Sequence, residues 1–335
     1  MDPHDELALP TGTTLWEGQD TYPLTAMRTA AIDPGAFVWG PLAEIWDPNT
    51  RGIFVAYEAS ASASVVFSVP PEASITASAR SPDGQTLILA TREREDPRIH
   101  VLDVSNPPLP VYRYRLAEDW VPAYTITFTP DGRSFITDAP EIRFWDLESG
   151  ALTRTLEDRD TLGCVLSPKG RWVAAWTNPG ALHTWEEDGS RVYYQGDASV
   201  TVWDLEAGDE GRQAAHVFRG DVQALVFDPR DEDVLFVAST GWPALRRIDL
   251  DAREVDFELD GFSALSLAVS SDGRMLATAG TDRTIRLFDA RKGVELDQIP
   301  GMEGEVHVLA FESENTILRA LDLRIRTFEL SPSAP

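Results

Sequence analysis

The feature that most constrains this chain is a short strand ending in a bulky residue and an acid, which recurs along its whole length. The acids that close these segments are 56, 43, 58, 45, 40 and 40 residues apart. The segments are Ile45-Trp46-Asp47, Val101-Leu102-Asp103, Phe144-Trp145-Asp146, Val202-Trp203-Asp204, Arg247-Ile248-Asp249, Leu287-Phe288-Asp289 and Thr327-Phe328-Glu329. A period of about 40–45 residues is typical of arrays built from small antiparallel sheets. The sequence therefore predicts seven β units, with insertions in the two longest spacings.

A second repeated feature is a tight turn that follows a short apolar segment. Its copies are Ser81-Pro82-Asp83-Gly84, Thr129-Pro130-Asp131-Gly132, Ser167-Pro168-Lys169-Gly170 and Ser271-Asp272-Gly273. Proline presets one backbone dihedral of such a turn, and glycine accepts the positive φ that follows. These stretches are therefore predicted to connect paired antiparallel strands.

Composition and charge narrow the possible partners. The chain has 335 residues, of which 43% are hydrophobic and 25% charged, and this is a globular composition. Its net charge of −26 disfavours nucleic acid and anionic membranes and favours basic partners. No apolar run approaches the roughly 20 residues of a membrane-spanning helix. We therefore expect no nucleic-acid binding and no membrane association.

The cysteine content and the N-terminus bear on the compartment. Cys164 is the only cysteine, so no disulfide can form within the chain. Residues 1–10 lack the basic region and apolar core of a secretory signal. Both observations predict a reducing, cytoplasmic environment.

With the repeats in view, the chain resembles the WD-repeat β-propeller family. The stretches Trp145–Gly150 and Trp203–Gly208 fit the family signature, and Ser271–Asp289 fits it in full. The resemblance covers nearly the whole chain. It implies an all-β fold, with residues 1–335 forming a single seven-bladed propeller of four-stranded antiparallel blades. The residues assigned to the structural repeat are Trp46, Asp47, Asp103, Trp145, Asp146, Trp203, Asp204, Asp249, Asp282 and Asp289.

The ends of the chain and the longer spacings lead to further expectations. Only six residues follow Glu329, too few for another strand and turn. In this family the first strand commonly completes the last blade, and we expect residues 9–17 to do so here, which removes a free sheet edge. Insertions are expected at about residues 52–72 and 178–197.

One departure from the family pattern predicts how the blades are held together. The family often has a Gly-His pair before each inner strand, and its histidine belongs to a buried polar network. None of the five histidines of this chain follows a glycine. Apolar packing between sheets is therefore expected to hold most blades together.

Sequence motifs for catalysis are missing. The chain has no nucleophile elbow, phosphate-binding loop, zinc-protease motif or dinucleotide fingerprint. One cysteine and no histidine pair at ligand spacing argue against a zinc site. We expect no enzyme activity, no cofactor and no metal. Two alternatives stay open: a propeller enzyme with a central-channel site, lactonase- or quinoprotein-like, and the sensor module of a signalling system.

The most promising site is one face of the predicted propeller. In the family, the loops entering the inner strands and those joining second to third strands share a face. On this chain that face gains large aromatic residues and acids, a combination suited to anchoring a basic peptide. The predicted partner-binding residues are Trp120, Tyr124, Trp185, Tyr193, Tyr194, Trp242, Phe262, Asp160, Asp221 and Glu305. The predicted function is a non-catalytic scaffold or adaptor, monomeric by itself, that binds a protein or peptide.

Overall fold

The structure is a computed structural model, and every regular element in the part of the chain that it describes is a β-strand. The described residues are 7–8, 42–47, 52–57, 62–68, 73–93, 98–105, 111–117, 123–138, 141–156, 161–177, 183–187, 190–194, 198–207, 216–306, 308–312, 317–321 and 325–330. All paired strands run antiparallel. The expected all-β class is confirmed. In these ranges no helix has the length and apolar character needed to cross a bilayer.

The first three sheets each contain four strands. The first sheet has the order β1-β4-β3-β2 and contains β1 (Leu7–Ala8), β2 (Leu42–Asp47), β3 (Gly52–Tyr57) and β4 (Ser62–Ser68). The second contains β5 (Ala73–Arg80), β6 (Thr86–Glu93), β7 (Arg98–Asp103) and β8 (Val111–Ala117). The third contains β9 (Ile126–Phe128), β10 (Ser134–Thr137), β11 (Ile142–Asp146) and β12 (Leu152–Leu156).

The fourth sheet carries an additional hairpin. Its strands are β13 (Gly163–Leu166), β14 (Trp172–Thr177), β17 (Ala198–Asp204) and β18 (His216–Phe218). Between β14 and β17 the chain forms a separate two-stranded sheet of β15 (His183–Glu187) and β16 (Ser190–Tyr194). This hairpin lies within the insertion expected at residues 178–197.

The last three sheets are the most regular. The fifth contains β19 (Val222–Phe227), β20 (Val234–Ser239), β21 (Leu245–Asp249) and β22 (Glu254–Leu259). The sixth contains β23 (Ser266–Val269), β24 (Met275–Ala279), β25 (Thr284–Asp289) and β26 (Glu295–Pro300). The seventh has three described strands, β27 (Val308–Glu312), β28 (Ile317–Leu321) and β29 (Ile325–Glu329).

From the second sheet to the seventh, the first strands lie side by side in chain order. Contacts join β5 to β9, β9 to β13, β13 to β19, β19 to β23, and β23 to β27. Within each of these sheets the strands follow one another in chain order as an antiparallel meander, with the β15–β16 hairpin inserted between β14 and β17. The connections therefore alternate between two ends of the array. We call the end with the first-to-second turns the turn end, and the end where the chain enters each first strand the loop end.

Apolar clusters between neighbouring sheets form the core. One cluster joins the fourth and fifth sheets through residues such as Trp172, Phe218 and Leu235. Corresponding clusters join the second to the third, the third to the fourth, the fifth to the sixth and the sixth to the seventh. The expectation of apolar packing between sheets is confirmed for these described sheets.

The turns between first and second strands form as the sequence predicts. In the third sheet, the Thr129 hydroxyl donates to Asp131 Oδ1 at 2.6 Å, and the Arg133 amide donates to the same oxygen. The hydrogen bond from Thr129 lowers the pKa of Asp131. Gly132 has a φ of +66°, which explains the glycine.

Successive turns also touch one another. A Cβ on Gly132 would lie 3.6 Å from the Cδ of Pro82 in the preceding turn. On Gly170 it would lie 3.3 Å from the Cδ of Pro130. Proline and glycine therefore shape not only each turn but also the contact between neighbouring turns.

The acids of the repeat act locally, where third strands turn into fourth strands. Asp146 Oδ1 accepts the Ser149 hydroxyl and amide, and the Ser149 hydroxyl bond lowers the pKa of Asp146. Asp249 accepts the Ala252 amide at 2.8 Å, and Asp289 accepts two amides of its own turn. Asp103 likewise accepts the Ser105 amide and hydroxyl. These acids are turn residues.

The first sheet differs from the others in where it places the acid-ending segment of the repeat. Trp46 and Asp47 end β2, which lies at one edge of its sheet, whereas Trp145 and Trp203 end strands with neighbours on both sides. Residues 52–72, expected as an insertion, include β3 and β4 of this sheet. Residues 9–17 lie outside the described residues, and β1 just before them pairs with β4. Closure by residues 9–17 stays a prediction.

Candidate interaction surface

Trp242 is the most exposed large hydrophobic side chain in the described part of the loop end. Its side chain lies in the turn between β20 and β21 and is 55% exposed. The Trp242 amide donates to the Arg219 carbonyl at 2.9 Å, and the Arg219 amide donates to the Trp242 carbonyl at 3.1 Å. The Arg219 guanidinium carbon lies 6.0 Å from the indole centroid. The indole is therefore open to solvent while its backbone is held in place.

Two glycines allow this arrangement. A Cβ on Gly241 would overlap the Arg219 carbonyl oxygen, and one on Gly220 would press on the Cα of Gly241. Gly220 also has a φ of +136°. The loop entering β19 and the β20–β21 turn can approach this closely only because both positions lack side chains.

Asp221 lies in the same pair of loops. Its carbonyl accepts the Thr240 amide at 2.9 Å, and its amide donates to the Thr240 hydroxyl at 3.2 Å. Asp221 is half-buried. The structure therefore places the predicted residues Trp242 and Asp221 on two loops joined by hydrogen bonds.

Phe262 is more deeply packed than Trp242. Its ring stacks on Phe288 with centroids 5.9 Å apart, and the Arg286 guanidinium carbon lies 5.0 Å from its centroid. Phe262 also packs against the core cluster of the fifth and sixth sheets. Its ring covers its own sheet, so a role in partner binding stays a prediction.

Tyr124 lies at the loop end of the third sheet, where its amide donates to Asp138 Oδ1 at 2.7 Å. The residue is half-buried. Glu305, in the loop before β27, is exposed. Both residues lie at the same end of their sheets as Trp242.

The other predicted partner-binding residues are placed only in part. Trp185 lies on β15, opposite Val192, and Tyr193 and Tyr194 lie on β16, opposite Thr184 and His183. Trp120 and Asp160 lie outside the described residues. A role of these five residues in partner binding stays a prediction.

Sequence reasoning missed two residues at the loop end. Arg219 supports Trp242 through the paired backbone and the cation–π contact. Leu162, just before β13, is 40% exposed. The paired glycines at 220 and 241 were the available signal for the first, whereas nothing in the local sequence distinguishes Leu162.

Asp282, assigned to the structural repeat, lies in the turn between β24 and β25. Asp282 Oδ1 accepts the Thr284 amide at 3.2 Å, and its Oδ2 pairs with Arg286 at 2.6 Å. Its side chain is exposed, so it stabilises a surface turn. In the third sheet the buried acid is Asp138, which accepts two amides of the loop entering β9.

Polar groups at the turn end are occupied with one another. Arg171 bonds Asp204 of its own sheet at 3.0 Å and Asp233 of the next sheet at 3.0 Å. Hydrogen bonding to Asp204 raises the pKa of Arg171. The Trp172 indole donates to Asp233 at 2.7 Å. These contacts join two sheets. No group of three histidine, cysteine or acidic side chains in the described ranges is arranged to hold a metal ion.

Comparison with known families supports the repeat assignment. The family described as WD domain, G-beta repeat matches residues 257–289, a range that contains β23, β24 and β25 of the sixth sheet. This range overlaps the stretch Ser271–Asp289 that fits the signature in full. The resemblance to WD-repeat proteins is thereby confirmed.

Three curated proteins are similar in sequence. A WD repeat-containing protein SL1-17 of Schistosoma mansoni is 30% identical over 162 residues, covering 46% of this chain and 45% of that protein. A U3 snoRNP-associated protein-like YAO of Arabidopsis thaliana is 37% identical over 73 residues, covering 21% and 14%. A WD repeat and SOCS box-containing protein 1 of Takifugu rubripes is 32% identical over 82 residues, covering 24% and 19%. Each match spans less than half of the relative.

The fold also has a solved counterpart. A chain in the crystal structure of the mitotic checkpoint complex superposes with a TM-score of 0.69, covering 96% of this chain and 98% of the other. Sequence identity is 13%, so this likeness concerns the fold alone.

Proposed function

We propose that this chain, an all-β propeller carrying a WD40 repeat, is a non-catalytic interaction module that binds a protein or peptide at its loop end. The main support for the proposal is the exposure of Trp242 on a fixed turn at the loop end. A 55% exposed indole on a backbone fixed by two hydrogen bonds can bury a large area with little loss of conformational entropy.

The charged group nearest the indole is the Arg219 guanidinium, 6.0 Å from the ring centroid, but the acids of the loop end and the net charge of the chain favour a basic partner. Asp221 lies in the adjoining loop, Glu305 is exposed at the same end, and the whole chain carries a net charge of −26. Complementary charge speeds encounter and selects against acidic competitors. A segment with an apolar side chain for Trp242 and flanking arginine or lysine residues fits these features.

The test uses synthetic 15-residue peptides, one set rich in arginine and lysine and a matched set rich in acids. Fluorescence anisotropy measures binding to the full chain and to the Trp242→Ala variant. We expect basic peptides to bind and the substitution to weaken binding about tenfold or more, the size of an interface hot spot.

Leu296→Ala is the matched control, because Leu296 is 53% exposed on the outer strand β26, away from the loop end. It should leave binding unchanged. Equal loss in both variants, or equal binding of acidic peptides, would contradict the proposed surface. A photo-crosslinker at position 242, compared with one at position 296, extends the test to natural partners.

A further inference from the structure

Asp138, at the loop end of the third sheet, is a carboxyl group in surroundings that disfavour its charge. It is fully buried. Its Oδ1 accepts the amides of Tyr124 and Thr125 at 2.7 and 2.8 Å, whereas its Oδ2 has no hydrogen-bond partner. No cationic side chain in the described part of the chain pairs with it. A buried anion without a counter-charge is energetically costly.

The hydrogen bonds of Asp138 join separate parts of the molecule. They fix the loop that enters β9 to the end of β10. Thr125, one of the two donors, also accepts the Cys164 amide of the fourth sheet through its hydroxyl at 2.9 Å. Asp138 therefore holds a junction between the third and fourth sheets.

Titratable and charged side chains lie around this junction. The fourth sheet contributes Cys164 as a titratable group. Burial raises the pKa of its thiol, and the nearby charge of Asp138 raises it further. On the third sheet, Arg143 is paired in register with Thr137, so alternation places it on the opposite face from Asp138. Glu141 lies just before β11. Residues 118–122, 139–140 and 157–160, which adjoin this junction in sequence, lie outside the described residues.

A second buried oxygen lies at the same end of the neighbouring sheet. The Thr161 hydroxyl, in the loop entering β13, is also buried without a partner. In the fifth and sixth sheets, the corresponding loop crosses the end of the second strand, where the Ala264 amide donates to the Ser239 carbonyl.

Burial dominates the ionisation of Asp138. It raises the pKa of this carboxyl from its ordinary value of 3.8 to about 7, while the amides of Thr125 and Tyr124 oppose the shift. The neutral acid keeps Oδ1 as an acceptor for both amides. Protonation therefore removes the cost of the buried charge without breaking the junction.

We infer that Asp138 is a proton-dependent clasp, a positioning residue that holds the loop entering β9 most firmly when its carboxyl group is protonated. Opening the junction admits water, which stabilises the carboxylate, so the open form releases a proton. This inference does not depend on the proposed partner binding, although Tyr124 lies in the loop concerned.

The pKa difference between the closed and open forms fixes how the junction responds to pH. Because the pKa is higher in the closed form than in the solvated form, the stabilisation is complete below about pH 4 and is lost as the pH rises towards 7. Within that window the opening equilibrium rises by up to about tenfold per pH unit. Above pH 7 it becomes flat, since both forms are then ionised.

Hydrogen exchange of the Tyr124 and Thr125 amides tests the clasp in the full-length protein. After correction for intrinsic exchange, wild-type protection should fall steeply between pH 5 and 7 and flatten above 7. In Asp138→Asn, which keeps an oxygen acceptor but cannot ionise, protection should be independent of pH and higher than wild type at pH 8. A flat wild-type profile, or an unchanged slope in the variant, would overturn the inference.

Two further measurements guard against ambiguity. Asp282→Asn changes an exposed turn acid after another second strand and should keep the wild-type pH profile. If Asp138→Asn fails to fold, the carboxyl carbon of Asp138 can be titrated by ¹³C NMR in the wild-type protein. An inflection in the neutral range supports the clasp, and one near pH 4 refutes it.

Discussion

The two ends of the sheets use similar residue types for different purposes. At the turn end, hydroxyls, amides and arginines bind the acids, and the single side chain of Arg171 contacts carboxylates of two sheets. At the loop end, Trp242 is held by its backbone while its side chain stays exposed. Where polar groups satisfy one another they add stability, whereas an exposed aromatic ring on a fixed turn is available for binding.

The largest expected effect comes from the framework of the loop end. Gly241→Ala places a Cβ on the Arg219 carbonyl, so we expect a loss of unfolding free energy on the order of 3 kcal/mol, from backbone displacement. Urea denaturation measures it. Gly261→Ala is the control, because Gly261 has φ +88° but no atom near its Cβ position, and about 1 kcal/mol is expected. Equal losses would show that the close approach of the two loops is unimportant.

A smaller effect is expected at the turn end. Arg171→Gln removes the charge between Asp204 and Asp233, and we expect a loss of about 1–2 kcal/mol at low salt that shrinks as salt screens the acids. Arg274→Gln, at an exposed pair 3.9 Å apart, should cost less than about 0.5 kcal/mol. If both variants unfold alike, the network is no more than a set of surface pairs.

The two signature tryptophans should also differ. The Trp145 indole donates to Thr137 at 3.0 Å, whereas the Trp203 indole has no hydrogen-bond partner in the described residues. Trp145→Phe should therefore cost about 1 kcal/mol more than Trp203→Phe, as expected for one buried hydrogen bond. Thermal denaturation of the two variants measures the difference. A larger loss for Trp203→Phe would show that the hydrogen bond from Trp145 to Thr137 does not determine it.

The smallest stability effect should occur where the binding effect is largest. Trp242→Ala should change unfolding free energy by less than about 0.5 kcal/mol, because more than half of the side chain is already in solvent. Circular dichroism melts check this alongside the peptide measurements. A strong destabilisation would assign Trp242 to the fold instead of to the surface.

The sequence predicted what is local and missed what is brought together from a distance. The turn at Thr129–Gly132 and the turn at Asp146 are each stabilised by residues two or three positions away, so the local sequence alone indicates them. Arg219 and Trp242 are joined only by folding; the neighbouring glycines, Gly220 and Gly241, indicate a close backbone approach but not which residues meet there. Likewise, the burial of Asp138 depends on the neighbouring sheet, so its turn position could be predicted but not its effect on ionisation.

The position of the only thiol, that of Cys164, makes its chemical modification a reporter of sheet separation. Cys164 lies directly behind the Thr125 hydroxyl and is shielded from solvent, with burial raising the pKa of its sulfur so that the nucleophilic thiolate is scarce. Because Cys164 belongs to the apolar cluster between the third and fourth sheets, we expect an alkylating reagent to reach it when these sheets separate. The rate of its modification should therefore report how readily these two sheets separate, without any substitution in the chain.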